Sequence, residues 1–202
     1  RRTARPPGFE MVGFWRSHAW VAISALILCC CQGRGSQATR VQARPVVPVI
    51  TAAPGVYALG MATRRLRDLV CRDGMLVIPR QAASRGALPL IVLLHGGGGT
   101  AEHFRSKFRL ADEYGVVMLV LDSRHNTWDG IDGPFGPDVA ALDAALRFTF
   151  ERAAIDPKKV ALSGISDGGA YALSLGIVNG DLFTHLVAVA PGFYKPPAAP
   201  IG

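Results

Sequence analysis

From about residue 56 onward the chain alternates short, wholly apolar runs with longer stretches in which apolar residues recur every three or four positions. The run Leu90-Ile91-Val92-Leu93-Leu94, bounded by Pro89 and a glycine cluster, predicts a strand buried on both faces. Residues 116–121, 160–162 and 186–190 read the same way, and residues 57–59 and 75–78 read as shorter strands, the second stopped by Pro79. Between them, residues 100–114 set Phe104, Phe108 and Ala111 on one face, with Gly115 placed to end a helix. Residues 138–152 do the same with Val139, Leu142 and Leu146, and residues 168–178 form a third helix. Strands alternating with helices of this length predict an α/β fold: a mostly parallel sheet with helices on both faces.

The region before residue 56 follows another pattern. An apolar run of thirteen residues, Ala19 to Cys31, follows Arg16 and His18. It is shorter than the roughly 20 residues a membrane-spanning helix needs, but it fits the core of an export signal behind a start at Met11. The run ends in Leu28-Cys29-Cys30-Cys31-Gln32-Gly33, which resembles a bacterial lipoprotein signal with Cys31 as the lipidated residue; plain secretion is the alternative. Residues 32–55, rich in Pro, Arg, Gln and Ala, read as an exposed linker, leaving residues 56–202 as the folded domain.

Charge and cysteine content narrow the function classes. The formal charge is +7, but the first 50 residues hold seven arginines against one acid, Glu10, leaving +1 for everything after them. A nearly neutral domain offers no basic nucleic-acid face. The four cysteines are Cys29, Cys30, Cys31 and Cys71, which gives the domain neither a disulfide framework nor a cysteine metal cluster.

In an open parallel sheet, ligands collect where the strands end at their carboxyl side. Two such ends carry chemistry here. Gly164-Ile165-Ser166-Asp167-Gly168 lies between the strand at 160–162 and the helix at 168–178. A serine on a sharp strand-to-helix turn needs strained backbone angles, and glycines two residues to either side let neighbouring main chain pass close by. That turn exposes the Ser166 hydroxyl as a nucleophile and aims the Asp167 N–H at the reacting carbonyl. The second end is His95-Gly96-Gly97-Gly98-Gly99. Its side-chain-free N–H groups, Gly97 and Gly98 foremost, are candidates for an oxyanion hole, which lowers acyl-transfer barriers by a few kcal/mol. Trp128 and Asp129, in the loop 123–137, are candidates for substrate contact, with loop packing as the alternative. Phe193 is a further substrate-binding candidate beside Tyr194.

The stretches Leu90 to His95 with its glycines, Asp138-Val139-Ala140-Ala141-Leu142, Ile155-Asp156-Pro157-Lys158-Lys159-Val160 and Gly164 to Gly169 together resemble one branch of the α/β-hydrolase superfamily. That branch comprises polyhydroxybutyrate depolymerases, feruloyl esterases and phospholipase/carboxylesterase-like enzymes. The resemblance implies cofactor-free hydrolysis of a small, aryl or polymeric carboxylic ester through an acyl-enzyme on Ser166. A histidine would act as base and an acid would orient it, both following Ser166 in the chain. After Ser166 and Asp167 the only acid is Asp181 and the only histidine is His185. Both precede or enter the strand at 186–190, at the wrong end for catalysis. The expectation is therefore a hydrolase fold lacking its last two strands, truncated at the C-terminus and inactive or weak as it stands.

Two rival readings compete. Gly96-x-Gly98-x-x-Ala101 follows a strand and precedes a helix, as in a dinucleotide-binding oxidoreductase, with Asp122 ending the next strand where a ribose-binding acid would sit. The third reading is a non-catalytic envelope lipoprotein with a hydrolase fold, touching the membrane only through a lipid at Cys31.

Overall fold

A computed structural model describes residues 39–46, 51–61 and 72–195. Cys31, the export signal and Cys71 lie outside the described residues.

Six strands form one sheet: β1 (Gly55–Ala58), β2 (Gly74–Ile78), β3 (Leu88–Leu94), β4 (Val117–Leu121), β5 (Ile155–Ile165) and β6 (His185–Val189), in the order β1-β2-β4-β3-β5-β6. β4, β3, β5 and β6 run parallel, and β2 and β1 extend the sheet antiparallel on the β4 side. The apolar run of β3 divides by its two-residue period. Leu90, Val92 and Leu94 enter the main core, while Ile91 and Leu93 join a smaller cluster with Val77, Ala111 and Met118 on the opposite face. The main core is covered by α3 (Pro137–Phe150) and α4 (Asp167–Val178), whose Leu142, Leu146, Ala172 and Leu175 are almost inaccessible. Burying each such leucine contributes about 2 kcal/mol.

Residues 100–114 do not form a single helix. A 3-10 segment at Ala101–Lys107 joins α1 (Arg109–Tyr114) at Phe108, and the next helix, α2 (Asp129–Asp132), is a single turn. Seven residues with five exposed give the packing little reason to choose i→i+4 over i→i+3 bonds. Gly115 ends α1 in the left-handed region (φ 65°), as its position predicts. β5 starts earlier than expected: Ile155 already pairs with Leu88. The register then shifts over Asp156–Lys159, where Pro157 has no N–H and Asp156 Oδ1 accepts from the Lys158 N–H (3.0 Å).

The expected exposed linker is corrected for residues 39–46. Thr39, Val41 and Ala43 are buried. The fully buried Asn179 accepts from the Val41 N–H and donates to the Thr39 and Leu175 carbonyls, each at 2.8 Å. Asp143 Oδ1 accepts from the Gln42 and Ala43 N–H groups, and Asp181 pairs with Arg40 and Arg44. Alternate inward residues make this segment strand-like, and side chains satisfy the N–H groups that a flexible linker would give to water.

Candidate active site

The carboxyl ends of β4, β3 and β5 bring Asp122, the His95–Gly99 loop and Ser166 to one edge of the sheet. Ser166 is exposed and has φ 52° and ψ −121°, one of two non-glycine residues with positive φ among those described; Ala190, just after β6, is the other. Such angles cost a serine of order 1–3 kcal/mol and persist only where surroundings enforce them. Here they do. The Ser166 N–H donates to the Val189 carbonyl, and the Ser166 carbonyl accepts from the Ala170 N–H, both at 2.9 Å. A Cβ at Gly164 would overlap the Gly168 main chain, and one at Gly168 would overlap the Leu94 and His95 carbonyls. The two outer glycines thus have the steric role their spacing predicts.

The oxyanion candidates separate. Gly97 N–H donates to no protein group among the described residues, and the Asp167 N–H opens α4. Gly98 is corrected: its N–H donates to the Asn126 carbonyl (2.7 Å), so its positive φ of 70° shapes the loop and does not present a donor. Asn126 and Thr127, which belong to no motif, are site residues that sequence reasoning missed. Thr127 Oγ1 donates to Asp167 Oδ2 at 2.6 Å.

Trp128 is corrected as a substrate contact. It is 1% exposed, donates from Nε1 to the His95 carbonyl (2.8 Å) and lies between the rings of His95 (4.9 Å) and Tyr171 (5.3 Å). Its role is to hold the glycine loop from beneath. Asp129 is half-buried and spends its oxygens internally, on the Tyr171 hydroxyl and the Gly136 and Asp138 N–H groups. Phe193 stays 45% exposed, free to meet a ligand. His95 is lowered in pKa chiefly by burial. Its Nε2 accepts from the Ser123 N–H (3.0 Å), so the proton sits on Nδ1 against the Gly96 carbonyl. Tyr171 is pushed well above the usual phenol range by burial, which keeps it a donor to Asp129.

Asp138, fully buried at the start of α3, accepts from the Arg124 N–H (2.6 Å) and the Asp129 N–H (2.7 Å). Burial raises its pKa to about 6, against the pull of those two bonds. Between pH ~4 and ~6 the folded chain therefore keeps a proton that the unfolded chain has released. Stability from this group is present below pH ~4 and lost as pH rises through 6, by about 3 kcal/mol. Urea unfolding at pH 4 and pH 7 should show the difference between the parent and Asp138→Asn shrinking by that amount; a constant difference would show that Asp138 does not titrate there.

Neither late candidate reaches the nucleophile. His185 opens β6 opposite Ala161, four residues or about 13 Å from the carboxyl end, and contacts Thr184. Asp181 is engaged with Arg40 and Arg44. Among the described residues the Ser166 hydroxyl has no hydrogen-bond partner, and no cluster of His, Cys, Asp and Glu is suited to a metal.

The dinucleotide reading loses its support here. A pyrophosphate would need a regular helix opening after the glycines, where the chain forms 3-10 turns. Asp122, its ribose-binding candidate, is 7% exposed and already accepts from the Asp73 and Ala101 N–H groups.

Residues 91–202 match the model of the alpha/beta hydrolase family. The chain belongs to that family. NocK of Nocardia uniformis subsp. tsuyamanensis, named as an esterase, is 33% identical over 169 residues, covering 79% of this chain and 47% of NocK. Feruloyl esterase B of Neurospora crassa is 32% identical over 103 residues, covering 46% of this chain and 34% of the esterase. The chain thus spans about half or less of the length of these curated relatives. Among solved structures, the serine hydrolase FphF of Staphylococcus aureus superposes with a TM-score of 0.52 at 14% identity, covering 70% of this chain and 59% of FphF. That likeness speaks to the fold, and the mixed sheet described above is the α/β-hydrolase sheet.

Proposed function

We propose that the protein hydrolyses carboxylic esters through an acyl-enzyme on Ser166. The observation that carries this reading is the positive-φ turn that exposes Ser166 between β5 and α4, beside the uncommitted Gly97 and Asp167 N–H groups. The Ser166 oxygen attacks the ester carbonyl, and the two N–H groups stabilise the resulting oxyanion. Collapse of the tetrahedral intermediate expels the alcohol, and water then cleaves the acyl-serine. A general base takes the hydroxyl proton; none of the described residues fills that role.

Relatives named as feruloyl esterase and acetylxylan esterase support an aryl or carbohydrate-linked ester as substrate. A polyester, as cut by polyhydroxybutyrate depolymerases, is the polymeric variant of the same chemistry. The test is turnover of p-nitrophenyl acetate by the full gene product, with mass-spectrometric mapping of fluorophosphonate adducts. The expected result is turnover and an adduct on Ser166, both absent in Ser166→Ala. Turnover that survives this substitution would place the chemistry elsewhere.

We also propose that the protein is exported and lipidated at Cys31, on the strength of the basic stretch, the short apolar core and the Cys31-Gln32-Gly33 junction. Palmitate incorporation that persists in Cys31→Ser would refute the lipidation.

A further inference from the structure

The side chain of Asp167 has no part in the ester-hydrolysis scheme, which uses only its N–H. Yet it sits inside the site. Its Oδ2 accepts from Thr127 Oγ1 (2.6 Å) and lies 2.5 Å from where a Cβ on Gly97 would stand, so the carboxylate rests on the glycine main chain. Adding bond lengths from that point to the Gly97 N–H and on to an oxyanion puts the two charges no more than about 8 Å apart. Among the described residues Oδ1 accepts no hydrogen bond and the carboxylate has no ion-pair partner. Arg72, which reaches the glycine loop, is directed at the Gly99 carbonyl and Ser123 Oγ instead.

A fixed negative charge at this range opposes the oxyanion that the adjacent N–H groups stabilise. With a neutral ester it is a net cost to the transition state. The cost is offset when the substrate itself brings a positive charge or a strong hydrogen-bond donor to the free Oδ1, and it grows when the substrate brings a negative charge. A helix N-terminus does favour an acid, which would suffice as a structural role. That role, however, predicts no sensitivity to the charge of the substrate.

We propose that the Asp167 carboxylate, held over Gly97 by Thr127, is a specificity determinant selecting esters that carry a cationic or donor-bearing group near the scissile carbonyl and rejecting anionic ones. The proposal rests on the serine-esterase reading. It is tested with three p-nitrophenyl esters: a trimethylammonio-butanoate, a neutral pentanoate and the half-ester of glutaric acid. The full gene product is expected to favour the cationic over the anionic ester by about 10-fold in kcat/KM. Asp167→Asn, which keeps the N–H and an acceptor for Thr127, is expected to bring that ratio close to one. The ratio cancels any change common to all three esters. Thr127→Val retains the charge and should retain most of the preference, which guards against a general loss of loop order in Asp167→Asn. Ser166-dependent pentanoate turnover with no charge preference in the parent, or a preference unchanged in Asp167→Asn, overturns the proposal and leaves the esterase reading intact. No Ser166-dependent turnover of any ester overturns both.

Discussion

Gly168→Ala is expected to destabilise the chain by about 3 kcal/mol or more and to cut Ser166-dependent turnover at least about 100-fold. Intrinsic propensity argues the opposite. Gly168 is the second residue of α4, where alanine gains up to about 1 kcal/mol over glycine. Sterics decide the sign. The added methyl would overlap the Leu94 and His95 carbonyls, which are main chain at the end of the central strand and cannot rotate away as a side chain would. Relief requires α4 to lift from β3, and that movement separates Ser166 and the Asp167 N–H from Gly97. Overpacking in a rigid core costs typically 1–3 kcal/mol, and a backbone clash at a strained turn lies at or beyond the top of that range. Gly86→Ala is the control: no atom lies within 4 Å of its Cβ position, so stability should stay within about 0.5 kcal/mol. Chemical denaturation of both variants with p-nitrophenyl acetate turnover checks the pair. Equal stabilities would mean that the elbow does not depend on the close approach of Gly168 to β3.

The parts of the site that were legible in the sequence obey local rules. Gly164, Ser166 and Gly168 carry their geometry in their spacing: the clash at Gly164 is with Gly168 four positions on, and the one at Gly168, against the end of β3, follows from setting a sharp strand-to-helix turn beside a parallel neighbour. The buried strands were legible because β3 and β4 are apolar on both faces. The relations that set the roles of Gly98, Trp128 and Asp167 were not. Each joins segments some 28 to 40 residues apart through a loop with no periodicity: Asn126 to Gly98, Trp128 to His95, Thr127 to Asp167. Whether an amide in a glycine loop is free or spent depends on such a partner, and spacing carries no information about it. The same holds for residues 39–46, whose Pro- and Arg-rich setting suggests solvent but whose main chain is held by Asn179 and Asp143 with alternate side chains facing inward.

Trp128 gives the second large effect, and it separates scaffold from substrate contact. Trp128→Ala is expected to cost about 4 kcal/mol, the range for removing a buried aromatic side chain, because the ring is 1% exposed and packed between His95 and Tyr171. Trp128→Phe keeps most of the ring contact but removes the Nε1–H, leaving the buried His95 carbonyl without that donor; about 1–3 kcal/mol is expected. The functional consequence follows from what the indole supports. His95 leads the loop that carries the Gly97 N–H, so loosening it degrades a donor used in the transition state, and kcat should fall more than KM rises. A residue that touched the ester would behave differently. Its loss would raise KM and leave unfolding unchanged. Steady-state kinetics on p-nitrophenyl acetate beside urea denaturation of Trp128→Phe distinguishes the two, and a KM effect at parental stability would return Trp128 to the substrate surface.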